Sequence, residues 1–259
     1  MAPQAEIIMK MERRSKKVRL DRMLQDRHLA ETRSRAQAMI LAGLVLVNEQ
    51  KIDKPGAMVA PDAVLRLLQP PQAFISRGGD KLAAALAAWN LPVSGRVCLD
   101  IGSSTGGFTD CLLQAGALRV HAIDSGTNQM DWRLRQDPRV RLRENTNARY
   151  VTPDALGETV EFAVCDVSFI SVTLILPALI GLLTPAAQVV ILVKPQFEAG
   201  REQVGKGGIV RDPAVQIAAV DKVSAAAREL GLWECGRMPS PRLGARGNQE
   251  WLLWLSMAP

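Results

Sequence analysis

Histidine, cysteine and tyrosine are scarce in this chain: two His, four Cys and one Tyr among 259 residues. His28 and His121 lack metal-ligand spacing, so no metal site is expected. Cys98, Cys111, Cys165 and Cys235 form no C-x-x-C pair and fall mostly within apolar runs. That distribution argues against a disulfide framework and predicts buried, reduced thiols. Long apolar stretches are missing too. The longest, Val172 to Leu183, is interrupted by Thr173, Pro177 and Gly181 and is too short to span a bilayer. The opening MAPQAEIIMKMERRSKK has no apolar segment of the secretory type. Together these absences predict a soluble cytoplasmic protein that does not engage a membrane.

What is present is a globular composition, 47% hydrophobic and 22% charged. The net charge of +6 is uneven: residues 1–60 hold 12 Lys and Arg against 7 Asp and Glu, and the other 199 hold 20 against 19. A polyanion partner is therefore expected at the N-terminal piece. Residues 1–18 read as a basic arm. Leu20, Met23 and Leu24 repeat at helical spacing. Thr32 or Ser34 caps a second helix through Ile40, which Gly43 ends. Leu44–Val47 is a strand, residues 48–50 a turn, and short β segments follow to Leu68.

This α+β module, 19–68, resembles an S4-type RNA-binding domain in Arg19-Leu20-Asp21, Thr32-Arg33-Ser34-Arg35-Ala36 and Gly43-Leu44-Val45-Leu46-Val47-Asn48. The resemblance implies that its helices present basic side chains to structured RNA, here Arg19, Arg22, Arg33 and Arg35, with Arg13, Arg14, Lys16 and Lys17 ahead of them. Such groups contact phosphates and give salt-dependent affinity.

Residues 69–75, starting Gln69-Pro70-Pro71-Gln72, read as a linker. The remaining domain, 76–259, opens on an alanine-rich helix ending near Trp89 and then alternates strands with helices. Strands are predicted at Val97–Leu99, Val120–Ile123, Val140–Leu142, Phe162–Val167, Val189–Val193, Leu232–Arg237 and Glu250–Leu255. Helices are predicted at Asp110–Ala115, Met130–Arg135, Ser171–Leu183 and Pro213–Leu230, with 195–212 a glycine-rich loop. That rhythm is a doubly wound α/β domain.

The stretch Leu99-Asp100-Ile101-Gly102-Ser103-Ser104-Thr105-Gly106-Gly107-Phe108 looks like a cofactor cradle following a first strand. In a dinucleotide fingerprint the middle glycine lets the pyrophosphate approach, and Ser104 stands there. Asp100 would repel a diphosphate but suits the ammonium of S-adenosylmethionine, and Asp124, closing the next strand, suits ribose hydroxyls. Candidate cofactor residues are Asp100, Gly102, Ser104, Thr105, Gly106, Gly107, Phe108, Asp124 and, towards the adenine, Asn147. A nicotinamide oxidoreductase is the competing reading.

Five further segments narrow it: Ser76-Arg77-Gly78-Gly79-Asp80-Lys81-Leu82, Asp131 to Arg135, Asp166 to Ser171, Val193 to Glu198 and Gly205 to Asp212. With the module ahead of them they resemble the TlyA family of S4-containing rRNA 2′-O-methyltransferases, often labelled haemolysin A and related to FtsJ-type enzymes. The resemblance implies a Rossmann-like methyltransferase domain, S-adenosylmethionine as cofactor, ribosomal RNA or a ribosomal subunit as partner, and cytidine as target. It also implies a Lys-Asp-Lys-Glu tetrad, which falls on Lys81, Asp166, Lys194 and Glu250. The chain departs from the pattern at Gln216, where a histidine is expected. A 2′-hydroxyl is a weak nucleophile that must lose its proton during transfer, and Lys194 is the expected base. Lys81 is expected to orient the hydroxyl, with Asp166 and Glu250 orienting the lysines. A membrane-acting cytolysin is a third reading, and the missing apolar segments count against it.

Overall fold

In the computed structural model, which describes residues 17–68 and 73–257, the chain divides into two compact units, 1–71 and 72–259. Most of the expected basic arm, with Arg13, Arg14 and Lys16, lies outside the described residues, as does Gln69-Pro70-Pro71-Gln72.

The first unit has helices Leu20–Asp26 and Arg33–Leu41, the latter capped by Thr32, whose Oγ1 accepts from Arg35 N at 3.1 Å. Val45–Val47 pairs antiparallel with Gln50–Lys51 and Leu65–Leu67, and Val18–Arg19 pairs with Met58–Val59. Leu20, Leu24, Ile40 and Val45 pack into its core. Asp21 is fully buried beside them. Its carboxylate accepts from Arg19 Nε (3.0 Å) and Nη2 (2.9 Å), Arg33 Nε (3.0 Å), Gln37 Nε2 (2.9 Å) and Arg22 N (2.9 Å). The Arg19 guanidinium, ahead of opposing burial, holds the Asp21 carboxyl below the usual carboxylate range.

A depressed carboxyl stabilises the folded state above its unfolded pKa, and that contribution is lost as pH falls through the lower folded value. Asp21→Asn is accordingly expected to cost about 2–3 kcal/mol at neutral pH, the worth of hydrogen bonds to a charged group. Urea unfolding at pH 7 measures it, and an unchanged midpoint would refute it.

The second unit contains one seven-stranded sheet: β1 (Val97–Ile101), β2 (Arg119–Ile123), β3 (Val140–Arg143), β4 (Val160–Cys165), β5 (Leu183–Val193), β6 (Trp233–Pro239) and β7 (Trp251–Ser256). Their order is β6-β7-β5-β4-β1-β2-β3. Pairings among β1 to β5 are parallel, while β7 lies between β5 and β6 and runs against both. Side chains alternate across the sheet. Val189, Ile191 and Val193 join one core with Val220 and Val223 of helix Pro213–Glu229, and Val190 and Leu192 join the other with Leu82 and Ala85 of helix Arg77–Ala88. Helices thus cover both faces, and the strand order reverses between β1 and β4, where a crevice opens in such folds.

Two expectations are corrected. The helix expected over Ser171–Leu183 is a 3₁₀ turn, Val172–Leu174, and a short helix, Leu176–Ile180, with Leu183 already in β5 paired to Val160. Pro185, which has no N–H for the ladder, lies in the stretch where that pairing shifts register before Gln188. Of the four thiols only Cys98, Cys111 and Cys165 are buried, whereas Cys235 on β6 is exposed. Burial pushes the Cys98 and Cys111 thiols up to about 12. No helix among the described residues is long and apolar enough to cross a membrane.

Candidate active site

β1 runs into the glycine-rich turn, and helix Gly107–Gln114 leaves it. Gly102 N and Ser103 N donate to Ile123 O at 2.8 and 3.2 Å. Asp124, just past β2, accepts from Ser104 N through Oδ2 and from Gly126 N through Oδ1, both at 2.7 Å. Ser104 takes a positive φ of 46° without being glycine. Gly102 (φ 83°) is required by its neighbour: a Cβ there would fall 2.4 Å from the Asp166 carbonyl oxygen. A Cβ on Gly107 would fall 2.2 Å from Ser76 Oγ. The absent side chains therefore make room for adjacent protein, where the sequence suggests room for a ligand.

Asp100 is fully buried and lines neither of the two clefts described below. Its Oδ2 accepts from Thr109 Oγ1 at 2.6 Å, and its Oδ1 is buried with no hydrogen-bond partner among the described residues. Burial, against the Thr109 hydrogen bond, pushes this carboxyl up to about 7. Asn147 is exposed and outside both clefts, and its Oδ1 caps the turn Ala148–Tyr150 by accepting from Arg149 N at 3.1 Å.

One cleft opens at the turn, and a second shares Lys81 with it. The first, of about 260 Å³, is lined by Ser104, Thr105, Phe108, Lys81 and Asp166 among others. The second, of about 430 Å³, is lined by Lys81, Ser168, Phe169, Lys194, Phe197 and Glu250 among others. Lys81 borders both. All four tetrad positions meet at these walls as two ion pairs: Lys81 Nζ to Glu250 Oε2 at 2.5 Å and Lys194 Nζ to Asp166 Oδ1 at 2.6 Å. Lys81 comes from helix Arg77–Ala88, Asp166 from the end of β4, Lys194 from the end of β5, and Glu250 from just before β7. Because β7 is reversed, its N-terminal end lies beside the C-terminal ends of the parallel strands, with Val193 opposite Trp251.

Ser168 and Phe169 follow Asp166 closely enough in sequence to border the methyl group or target base, and both line the second cleft. The Ser168 hydroxyl accepts from Lys194 Nζ at 2.7 Å, so that nitrogen has two oxygen neighbours. Phe169 is 92% exposed with φ 66°. A bulky residue in the left-handed region carries about 1–3 kcal/mol of strain and persists only where its surroundings impose it. Its ring centroid lies 5.3 Å from that of Phe197. Across the mouth, Asn248 Nδ2 donates to Gly208 O and Gln216 Nε2 to Val210 O, at 2.8 and 2.9 Å, tying down the glycine-rich loop. Gln216 thus has a job of its own where a histidine was expected.

Residues 74–257 match the FtsJ-like methyltransferase family, and residues 18–65 match the S4 domain. The chain belongs to the FtsJ-like methyltransferase family. Among its relatives is the 16S/23S rRNA (cytidine-2′-O)-methyltransferase TlyA of Mycobacterium tuberculosis, 45% identical over 93% of this chain and 90% of its own length. YqxC of Bacillus subtilis, named as a candidate rRNA methyltransferase, is 50% identical over 93% and 86%. A solved structure of a candidate hemolysin from Streptococcus thermophilus superposes with a TM-score of 0.73 at 46% identity, covering 94% of this chain and 89% of that one.

Proposed function

We propose that this enzyme transfers a methyl group from S-adenosylmethionine to the ribose 2′-hydroxyl of a cytidine in ribosomal RNA in the cytoplasm, with Lys194 as base. The observation that carries the proposal is the pair of lysine–carboxylate contacts on the walls of two adjoining clefts. The residues suit the cofactor: Asp100 keeps a buried carboxylate oxygen without a partner beneath the turn, Asp124 ends β2, and residues 102–108 hold no cation that would call for a diphosphate. Asp100 would attract an ammonium from beneath the turn without touching it, Ser104 and Thr105 would line the cleft, and Phe108 would floor it. When bound, the cofactor supplies an electrophilic methyl on a sulfonium.

The chain's own residues do the rest. Lys194, in its uncharged form, takes the hydroxyl proton at Nζ as the 2′-oxygen gains the methyl, and later returns that proton to solvent. Asp166 and Ser168 fix the direction of that nitrogen. Lys81, held by Glu250, orients the acceptor oxygen for in-line attack. The exposed Phe169 ring offers a stacking face for the target base. RNA docking falls to the S4 unit. Arg22 and Arg35 are surface cations there, and Arg19 and Arg33, half-exposed, each keep one edge on Asp21.

S-adenosylhomocysteine at a hundredfold excess over Kd is expected to raise Tm by about 5–10 °C, and NADH is expected to leave it unchanged. Stabilisation by NADH alone would favour the oxidoreductase. Mapping ribose methylation in rRNA from cells with and without the gene tests the acceptor. Identical maps would refute this reading.

A further inference from the structure

The mechanism above leaves one buried carboxylate without a use. Glu198 has a side chain 2% exposed and sits four residues beyond Lys194, closing the single helical turn Pro195–Glu198 that Lys194 caps. Its Oε2 accepts from Ser171 Oγ at 2.5 Å and its Oε1 from Val172 N at 2.7 Å. Lys222, on helix Pro213–Glu229, donates from Nζ to the Glu198 carbonyl at 2.8 Å and approaches its Oε2 at 3.5 Å. Ser171 and Val172 open the turn that ends the loop beginning at Asp166.

That loop carries both partners of the Lys194 nitrogen, Asp166 and Ser168, and the strained Phe169. At its start it is fixed to the sheet, with Asp166 N donating to Ile101 O at 2.9 Å. At its other end the side-chain anchor is Glu198. One carboxylate therefore ties the acceptor-side loop to the same rigid turn that bears the base. A buried charge with two short hydrogen bonds is a stiff link, since releasing either would leave the charge unsatisfied.

We infer that Glu198 is a positioning residue for methyl transfer: it clamps loop 166–172 against the Lys194 turn, so that Asp166 and Ser168 aim the Lys194 nitrogen. It touches neither cleft's reacting groups. The inference rests on the methyltransferase reading for its kinetic arm and on geometry alone for its exchange arm.

Glu198→Gln keeps an acceptor for Val172 N–H, and its amide can donate to Ser171 Oγ, so the tie between loop and turn persists while the charge and its ion pair with Lys222 are lost. Glu198→Ala removes the link. In single-turnover methylation of rRNA, Glu198→Ala is expected to lose roughly 10- to 100-fold in rate, the effect of misplacing a reacting group, with S-adenosylhomocysteine affinity unchanged. Glu198→Gln is expected to restore the rate to within about threefold, because the hydrogen bonds persist. Hydrogen exchange followed by mass spectrometry on the full chain is expected to show faster exchange over 167–174 in Glu198→Ala, with β5 still protected.

Unchanged exchange in that segment overturns the clamp whatever the activity. An alanine variant with wild-type rate, or equal rate losses in both variants tracking their Tm, overturns the positioning role. A wild-type enzyme that methylates no RNA sinks the functional reading instead, and the exchange result then still decides whether the clamp exists.

Discussion

Lys194→Ala is expected to lower methyl transfer by about 10²–10⁴-fold, the range for removing a general acid–base group, with cofactor binding intact. Lys194 lines the cleft that holds Ser168 and Phe169 and not the one at the glycine turn, so the two readouts separate cleanly. Lys194→Arg sharpens the test. Arginine keeps the positive charge facing Asp166 but cannot become neutral, so it cannot accept a proton. Both variants are expected to be inactive in single-turnover assays while S-adenosylhomocysteine still raises their Tm. An arginine variant of near wild-type rate would assign Lys194 an electrostatic role and exclude it as base.

Asp100→Asn is expected to make the cofactor-free protein more stable and the cofactor weaker. The Asp100 carboxyl is raised to about 7 by burial, against an ordinary aspartate near 3.9. A raised acid stabilises the folded state fully below its unfolded pKa, and that stability is lost as pH rises through the folded value. The wild type therefore carries a penalty that grows from about pH 4 to about pH 7 and reaches the order of 4 kcal/mol. Asparagine keeps the Thr109 hydrogen bond and has no charge to bury, so the stability difference between variant and wild type is expected to widen over that window and then level off. Urea midpoints at pH 5, 6, 7 and 8 measure it, and parallel curves would refute it. In exchange, the variant is expected to bind S-adenosylhomocysteine roughly 10-fold more weakly, having lost the negative charge beneath the turn.

The apolar strands and their alternation with helices are legible in the residues because burial on both faces needs runs such as Val189 to Val193. The run from Val172 to Leu183 is equally apolar, and hydrophobicity alone does not mark where its helix stops and β5 starts. Pairing of Leu183 with Val160 decides that, and such pairing is a tertiary fact. Lys81, Asp166 and Lys194 are readable as residue types within motifs, whereas Glu250 comes from the resemblance alone. Their pairing is not readable, since Lys81 finds Glu250 across 169 residues. The glycines of the turn are legible as a turn, yet their reason is local crowding by Asp166 and Ser76. Asp21 and Glu198 stand within quoted motifs but show no role in sequence, because an acid beside basic or aromatic neighbours reads as surface. Only the fold reveals that each is buried and multiply bonded.

The reversed strand β7 has a consequence in time. Glu250 reaches the site only because β7 threads back between β5 and β6, and it is made 169 residues after the lysine it holds. At about 5–20 residues per second a translating ribosome needs about 10–30 s to cover that interval. Throughout it the nascent chain has the glycine turn, Lys81 and in due course Asp166 and Lys194, but no complete tetrad. Until then Lys81 stands without its carboxylate partner, and the sheet lacks the antiparallel strand that brings the two together.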